Sequence, residues 1–471
     1  MTLFTPPMPK TLKRHATLRQ KLDLLLRSSL AVFLEGSYGV TGASRLRIPT
    51  LPFARRRSIL LVRDAAAIRT MLAERADDFP KGRLMETMLE ALTGHSIFVS
   101  NGDVWRRQRR IIDQAFENAR IRDVFGLMRD ASDALVRRFG ELAVRGAPVE
   151  IEAEMTHFAG DIIFRTLFSE PLRADDARRI FAAFDVFQRL SYGLGMLGLT
   201  GLPLWLLPSY WRARRAARRI RAVLQGPLGR RMAALAAGQT APQDDILATL
   251  ISATDPVTGT KLDAGELLDQ VAMLFLAGHE TSAAALGWTL YCIANSPCVQ
   301  ERMRAESLAA YKDRPDFSDM RRMPFVRDVF RETLRLYPPI AFFARDVAGA
   351  GALCGKPVAA GDSASIGVWL MHRHSAHWSD PHAFDPGRFA RDETREAQRC
   401  AYMPFSMGQR VCVGAAFALQ EATLVLGELV RRFEFTPVAG RVPEPIARLT
   451  VRSDNGIWLR VASRPQPGEA A

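Results

Sequence analysis

Apolar residues recur at three- and four-residue intervals almost without a break from residue 65 to about residue 310, the spacing that gives a helix one apolar stripe. Ahead of that span, short apolar and β-branched runs at 46–51 and 59–62 are split by Arg55, Arg56 and Arg57, which predicts strands and a turn. Past Pro338 the runs shorten to 342–347, 356–359 and 363–368 between Gly and Pro, the pattern of a small sheet and a long coil. A last helical stretch follows at 415–433, and the tail alternates at 447–451 and 457–461 as a terminal hairpin would. The pattern predicts a fold that is mainly α with a smaller β portion.

Two apolar stretches test that reading. Residues 192–207 are nearly uncharged, but Gly193, Gly195, Gly198, Gly201 and Pro203 disfavour a stable membrane helix and predict a mobile apolar loop between two helices. Residues 271–294 are long enough to span a bilayer, yet His279 and Glu280 fall near the middle, where a charge costs at least ~3 kcal/mol. The prediction is a buried helix over 264–295, about 45 Å long at ~1.5 Å per residue, with Pro297 just beyond its end. Residues 1–39 form an N-terminal segment with Lys10, Lys13, Arg14, Arg19 and Lys21 before short leucine runs, too charged for a transmembrane anchor. It reads either as a first helix packed on the domain or as an amphipathic helix in peripheral contact with anionic lipid.

Composition narrows the function classes. At 48% hydrophobic and 24% charged residues the chain of 471 residues can build a large soluble core. Its net charge of +14 would suit nucleic acid, but no zinc-finger or RNA-binding signature accompanies the scattered arginines, and a basic face for an acidic protein is the better use. The five cysteines, at 292, 298, 354, 400 and 412, are irregularly spaced with no CxxC pair, which argues against disulfides and zinc and for a reducing cytoplasm.

Four local patterns carry chemistry. Cys412 follows Phe405, Gly408 and Arg410, precedes Gly414, and lies just ahead of a helix start, where the N-terminal dipole favours a metal-ligating thiolate. An isolated cysteine is more often inert and buried, but Gly408 and Gly414 let the backbone approach something flat. Ala277, Gly278, Glu280 and Thr281 interrupt the long apolar helix. The interior Gly278 asks for a reason such as a ligand against the backbone, and the Thr281 hydroxyl can bond a carbonyl one turn back, making room for dioxygen and water. Glu332 and Arg335 lie three apart on a helix, a pair worth only ~0.2 to 0.5 kcal/mol on a surface. Trp105 and Arg109 stand one turn apart, able to donate hydrogen bonds to one anion.

Taken together and in this order, the patterns resemble those of the cytochrome P450 monooxygenases, over roughly residues 40–460. The resemblance implies a single-domain fold over 40–471, with motifs distant in sequence converging on haem b through a Cys412 thiolate. It gives Glu280 and Thr281 the role of an acid and alcohol pair that delivers protons to dioxygen, with Ala277 and Gly278 beside them. It makes Glu332, Arg335 and Arg388, the last in Pro386-Gly387-Arg388-Phe389, a buried structural network, and places Trp105, Arg109, Arg345 and Arg410 at the haem propionates. Two positions depart from the family pattern: Ser406 stands where a second Gly is frequent, and Gly387 where Glu is. A haem protein that only senses gas or carries electrons would need no acid and alcohol pair. Lacking a dinucleotide fingerprint, the chain is expected to take electrons, ultimately from NAD(P)H, through a separate ferredoxin or flavodoxin-like partner. A basic face around Arg106, Arg107 and Arg110 is its expected dock. Leu89, Leu92, Phe98, Phe275, Ile340, Phe342 and Phe343 suggest a lipophilic substrate.

Overall fold

The apolar periodicity becomes helix in the computed structural model of the chain, which describes residues 3–11, 17, 27–32, 35–48, 50–51, 58–239, 245–311 and 313–465. With 59% helix and 10% strand, the fold is mainly α with a minor β portion. The helices that position the site are α1 (Gly102–Ala115), α2 (Ile151–Phe168), α3 (Ala174–Leu199), α4 (Pro208–Ala236), α5 (Ala264–Ala294), α6 (Pro324–Leu336) and α7 (Ala415–Arg432).

Helix α5 is the long helix that the pattern predicts. A capping box starts it, with the Glu266 N–H donating to Asp263 Oδ1 at 2.8 Å and the Asp263 N–H to Glu266 Oε2 at 3.1 Å. It runs through the core packed along α2. His279 and Glu280, near its middle, are packed inside the protein. His279 sits among the rings of Phe181, Phe184 and Phe275 at 5.1, 5.1 and 5.6 Å, and burial lowers its pKa to about 4, so it is neutral near pH 7. Glu280 is ion-paired, as described below. Phe275 is thereby part of the core around His279. No helix among the described residues is long and apolar enough to cross a membrane.

Glycines inside these helices mark close packing. A Cβ on Gly278 would lie 2.9 Å from both Cδ1 and Cγ1 of Ile163 on α2, so the neighbouring helix itself demands the glycine. The stretch expected as a loop over 192–207 is corrected in the same way. Helix α3 continues to Leu199, because a Cβ on Gly195 would fall 2.6 Å from Met88 Cγ, and the glycine lets helix Arg83–Thr93 approach. Tertiary packing overrides the low helix propensity, and the loop shrinks to 200–207.

Strands β1 (Ala43–Arg47), β2 (Ser58–Val62), β3 (Phe343–Asp346) and β4 (Ser363–Ile366) form one sheet in the order β1-β2-β4-β3, with β2 and β4 parallel. The tail differs from the expected hairpin. Trp458–Ser463 pairs with Phe433–Pro437, directly after α7, which brings Phe433 and Phe435 against Phe139 in the core. The strands Pro445–Ala447 and Val451–Ser453 pair with each other instead. Most of the basic N-terminal segment, 12–16 and 18–26, lies outside the described residues. Residues 3–11 rest on the rest of the chain: Phe4 packs on Tyr291 at 6.0 Å and the Tyr337 hydroxyl donates to Pro7 O at 2.7 Å.

Because Gly278 and Ile163 share one space, Gly278→Ala should destabilise by about 1–3 kcal/mol through overpacking. Ile163→Ala alone should also destabilise, by about 2–5 kcal/mol. The double variant should lose less than the sum, read from urea midpoints. Additive losses would show that the two residues do not compete for the space.

Candidate functional site

The site is built on a carboxylate with no exposure. Glu332 on α6 receives Arg335 Nε at 2.8 Å on Oε2, and Arg335 Nη2 at 2.8 Å and Arg388 Nε at 3.0 Å on Oε1. All three side chains are buried, at most 1% exposed. The remaining guanidinium donors take backbone carbonyls: Arg335 those of His372, Pro381 and Ala383, Arg388 that of Ser379. Gly387 lies in the 3-10 turn Pro386–Ala390 that carries Arg388. A link that the sequence did not single out continues the chain of bonds. His372 Nε2 accepts the Met403 N–H at 2.8 Å while its Nδ1 faces Arg335 O at 3.1 Å, which assigns the proton to Nδ1. Burial first, and the Arg335 charge next, lower the His372 pKa to about 3, so it stays neutral.

Met403 opens the loop that holds Cys412. The Cys412 N–H donates to Phe405 O at 2.9 Å, and a 3-10 turn, Gly408–Arg410, lies between them. Gly408 has φ +69, and an added Cβ would sit 2.0 Å from Leu72 O, so backbone conformation and space both require glycine. Ser406 has φ +65, the left-handed conformation that a glycine enters freely, and its hydroxyl is buried without a hydrogen-bond partner. Gly414 caps α7 with an ordinary φ of −87, and a Cβ there would meet only Phe116, at 3.9 Å. The Cys412 residue keeps accessible surface although protein atoms crowd around its sulfur. Burial pushes its thiol pKa up, offset in part by the Gly414 N–H and the Arg109 charge. Burial also pushes up the thiols of Cys292, Cys354 and Cys400, and Cys298 is on the surface.

Facing the loop is a cluster of cations. Arg410 lies 4.2 Å over the Trp105 ring and donates to Ser100 O at 3.2 Å and Asn101 Oδ1 at 2.9 Å. Arg345 on β3 is 6% exposed and donates to Ala344 O at 2.9 Å. Lys81, absent from the motifs, joins them, with Nζ donating to Ile97 O at 2.7 Å. Burial and then the charges of Arg345, Arg410 and Arg109 hold Lys81 well below its ordinary pKa, and burial pulls Arg345 and Arg410 down to about 10. Among the described residues no carboxylate pairs with Lys81, Arg345 or Arg410. Cations crowded this way call for an anion, and the two carboxylates of a haem fit. Arg109 is used differently: it pairs with Asp113 at 2.7 Å and donates to Val411 O at 2.7 Å, bracing the loop.

On α5 the Thr281 hydroxyl donates to Ala277 O at 2.6 Å, the bond to the preceding turn that the sequence predicts. Glu280 points elsewhere. Arg452 meets its Oε1 and Oε2 at 2.8 and 2.7 Å and the Thr450 hydroxyl donates to Oε1 at 2.6 Å. Burial alone would raise the Glu280 pKa, but Arg452 outweighs it and holds the carboxylate ionised. The neighbouring Ser282 donates to Glu421 Oε2 on α7 at 2.9 Å, and burial pushes the Glu421 pKa up to about 8, so this carboxyl keeps its proton. The expected basic face is corrected. Arg106 pairs with Asp77 and Asp103 at 2.8 Å, Arg107 with Glu266 at 2.7 Å and Arg110 with Asp255 at 2.6 Å, so its charge is largely neutralised within the chain.

The profile of the Cytochrome P450 family matches residues 48–459. Cyclooctat-9-en-7-ol 5-monooxygenase of Streptomyces melanosporofaciens is 31% identical over 77% of this chain and 77% of its own. The protein LUTEIN DEFICIENT 5, chloroplastic, of Arabidopsis thaliana is 28% identical over 87% of this chain and 71% of its own. The heme domain of cytochrome P450DA, at 24% identity, shares the fold with a TM-score of 0.78 over 90% of each chain. The chain belongs to the cytochrome P450 family: it is a haem-thiolate monooxygenase that uses electrons from a redox partner to insert one oxygen atom from dioxygen into a lipophilic substrate.

Ser406→Gly should stabilise the protein by about 1 kcal/mol. It relieves ~1–2 kcal/mol of left-handed strain and removes an orphaned hydroxyl, against ~0.5–1 kcal/mol of added chain entropy. A raised denaturant midpoint at constant slope is the expected result. Glu421 sets a pH dependence. Unfolded, it loses its proton near ~4.3; folded, it keeps it up to about 8. Between those values the folded state holds the extra proton, so stability falls as pH rises, and Glu421→Gln should make that fall shallower.

Proposed function

We propose that Cys412 is the axial thiolate of the haem and that Lys81, Arg345 and Arg410, with Trp105, receive its propionates. The observation that carries this is the buried cation cluster, without a carboxylate ion-pair partner among the described residues, next to the loop that holds an accessible Cys412. The bound haem supplies the activation of dioxygen and the transfer of one oxygen atom. The chain supplies position and protons. Phe405 O and Arg109 hold the Cys412 backbone, and Gly408 lets the loop lie against Leu72.

Thr281 Oγ1 carries the proton-handling role. Its hydrogen is committed to Ala277 O, which leaves its lone pairs to accept from a water and orient that water's second proton. Glu280 is given another role than acid: with both oxygens engaged by Arg452 and Thr450, it anchors α5 to the Val451–Ser453 strand. Electrons come from a ferredoxin or flavodoxin-like protein, with the thiols and the absence of paired cysteines supporting a reducing cytoplasm as the setting.

Two variants test the assignments. Cys412→Ser, reduced under carbon monoxide, should lose the strongly red-shifted thiolate band; its survival would move the ligand to another cysteine. Thr281→Ala should keep haem incorporation while diverting electrons from product to peroxide, a change of about 10²- to 10⁴-fold in the proton-dependent step. Unchanged coupling of electron use to product would remove Thr281 from that role.

A further inference from the structure

Helix α4 carries eight arginines and no acidic residue in 29 positions. Arg212, Arg215 and Arg219, spaced three and four apart, share one face of it and line a groove of about 1110 Å³ between α3 and α4. Seven arginines and two carboxylates, Glu170 and Asp176, line this groove in all. Glu170 pairs with Arg230 at 2.8 Å, and Arg178 pairs with Asp175, which is not part of the lining. The other five, Arg173 and Arg179 at the start of α3 and the three of α4, are exposed and form no ion pair among the described residues. Asp176, half-buried in the first turn of α3, forms none either. Between the charges the wall is apolar, with Ala183, Val186, Ala216 and Val223.

Five unpaired guanidinium groups against one unpaired carboxylate, gathered in a single concave surface, focus a positive potential that scattered arginines would not. A guanidinium fork matches the oxygens of a phosphate, and several of them converging favour two or more adjacent phosphates over one. The apolar wall between them leaves room for a hydrocarbon portion, and the volume is close to that of a small-molecule site. Single-stranded nucleic acid fits less well. Its bases stack on aromatic platforms, and the one aromatic ring lining the groove among the described residues, Phe164, is buried. We propose that the α3–α4 groove is a binding site for a small organic diphosphate, with the phosphates held by the unpaired arginines and the hydrocarbon part lying on the apolar wall. Such binding does not depend on the assignment of the haem ligand.

The full haem-loaded chain is titrated in a calorimeter with pyrophosphate, dodecyl diphosphate and dodecanol. Dodecyl diphosphate should bind more tightly than pyrophosphate, both should weaken as salt rises, and pyrophosphate should leave the haem spectrum unchanged. Arg215→Ala with Arg219→Ala should weaken pyrophosphate about a hundredfold, at roughly tenfold per arginine. Arg214→Ala with Arg218→Ala removes the same charge from the same helix outside the groove, and should leave binding within about twofold. Asp176→Asn should tighten pyrophosphate about two- to threefold by removing a like charge. Dodecanol, which has no phosphate to hold, should respond to none of these variants. No binding of either diphosphate, or equal weakening by the two arginine pairs, overturns the proposal. So does binding through Arg215 and Arg219 to phosphatidylglycerol vesicles but not to dodecyl diphosphate, which would assign these arginines to a lipid surface.

Discussion

A carboxylate taken wholly out of water needs other groups to replace that water, and Glu332 imposes that requirement on everything between α6 and the cysteine loop. Two guanidinium groups and the Asp385 N–H at 2.9 Å supply the replacement. Each guanidinium brings further donors that must also be satisfied. Those donors reach the carbonyls of 372, 379, 381 and 383, so the coil between β4 and Arg388 is tied down although it has little regular structure. His372 passes the constraint on to Met403. A pair worth a few tenths of a kcal/mol on a surface thus becomes, once buried, the origin from which the position of Cys412 is set.

The same rule operates with opposite sign on the other side of the loop. Around Glu332 the chain provides both the charge and its complement. Around Trp105 it gathers cations, and beyond the effect of burial Arg345 and Arg410 lower the proton affinity of Lys81, and Arg410 that of Arg345. Such a cluster is unfavourable by itself, and any anion that enters it relieves part of that repulsion.

Local chemistry was legible in the residues themselves; long-range chemistry was legible only where the family resemblance supplied it, as for Arg388 with Glu332 and Arg410 with Trp105. The bounds of α5, the Thr281 bond to Ala277 and the turn at Gly408 depend on residues within a few positions, where periodicity and backbone preference act. The partner of Glu280, Arg452, is 172 residues away, and no local rule pairs them. The acids that neutralise Arg107 and Arg110, Glu266 and Asp255, lie 159 and 145 residues off, which is why a run of arginines looked free. Lys81, His372 and Glu421 each stand alone in the sequence and acquire meaning only through what packs on them. Glycines at 195 and 278 were read as a loop and a ligand site because a facing helix is invisible along the chain.

The net charge of +14 therefore has little meaning until it is divided by burial and pairing. Many arginines end in ion pairs, as Arg107 does with Glu266 and Arg110 with Asp255. Of those that do not, the buried group near Trp105 acts across a medium of low polarity, where charges interact strongly over short distances and select a small anion by shape. The exposed arginines of α4 act through water and salt, where each charge is screened over about 8 Å. The degree of burial and pairing, rather than the number of arginines, thus decides how strongly each charge acts on its surroundings.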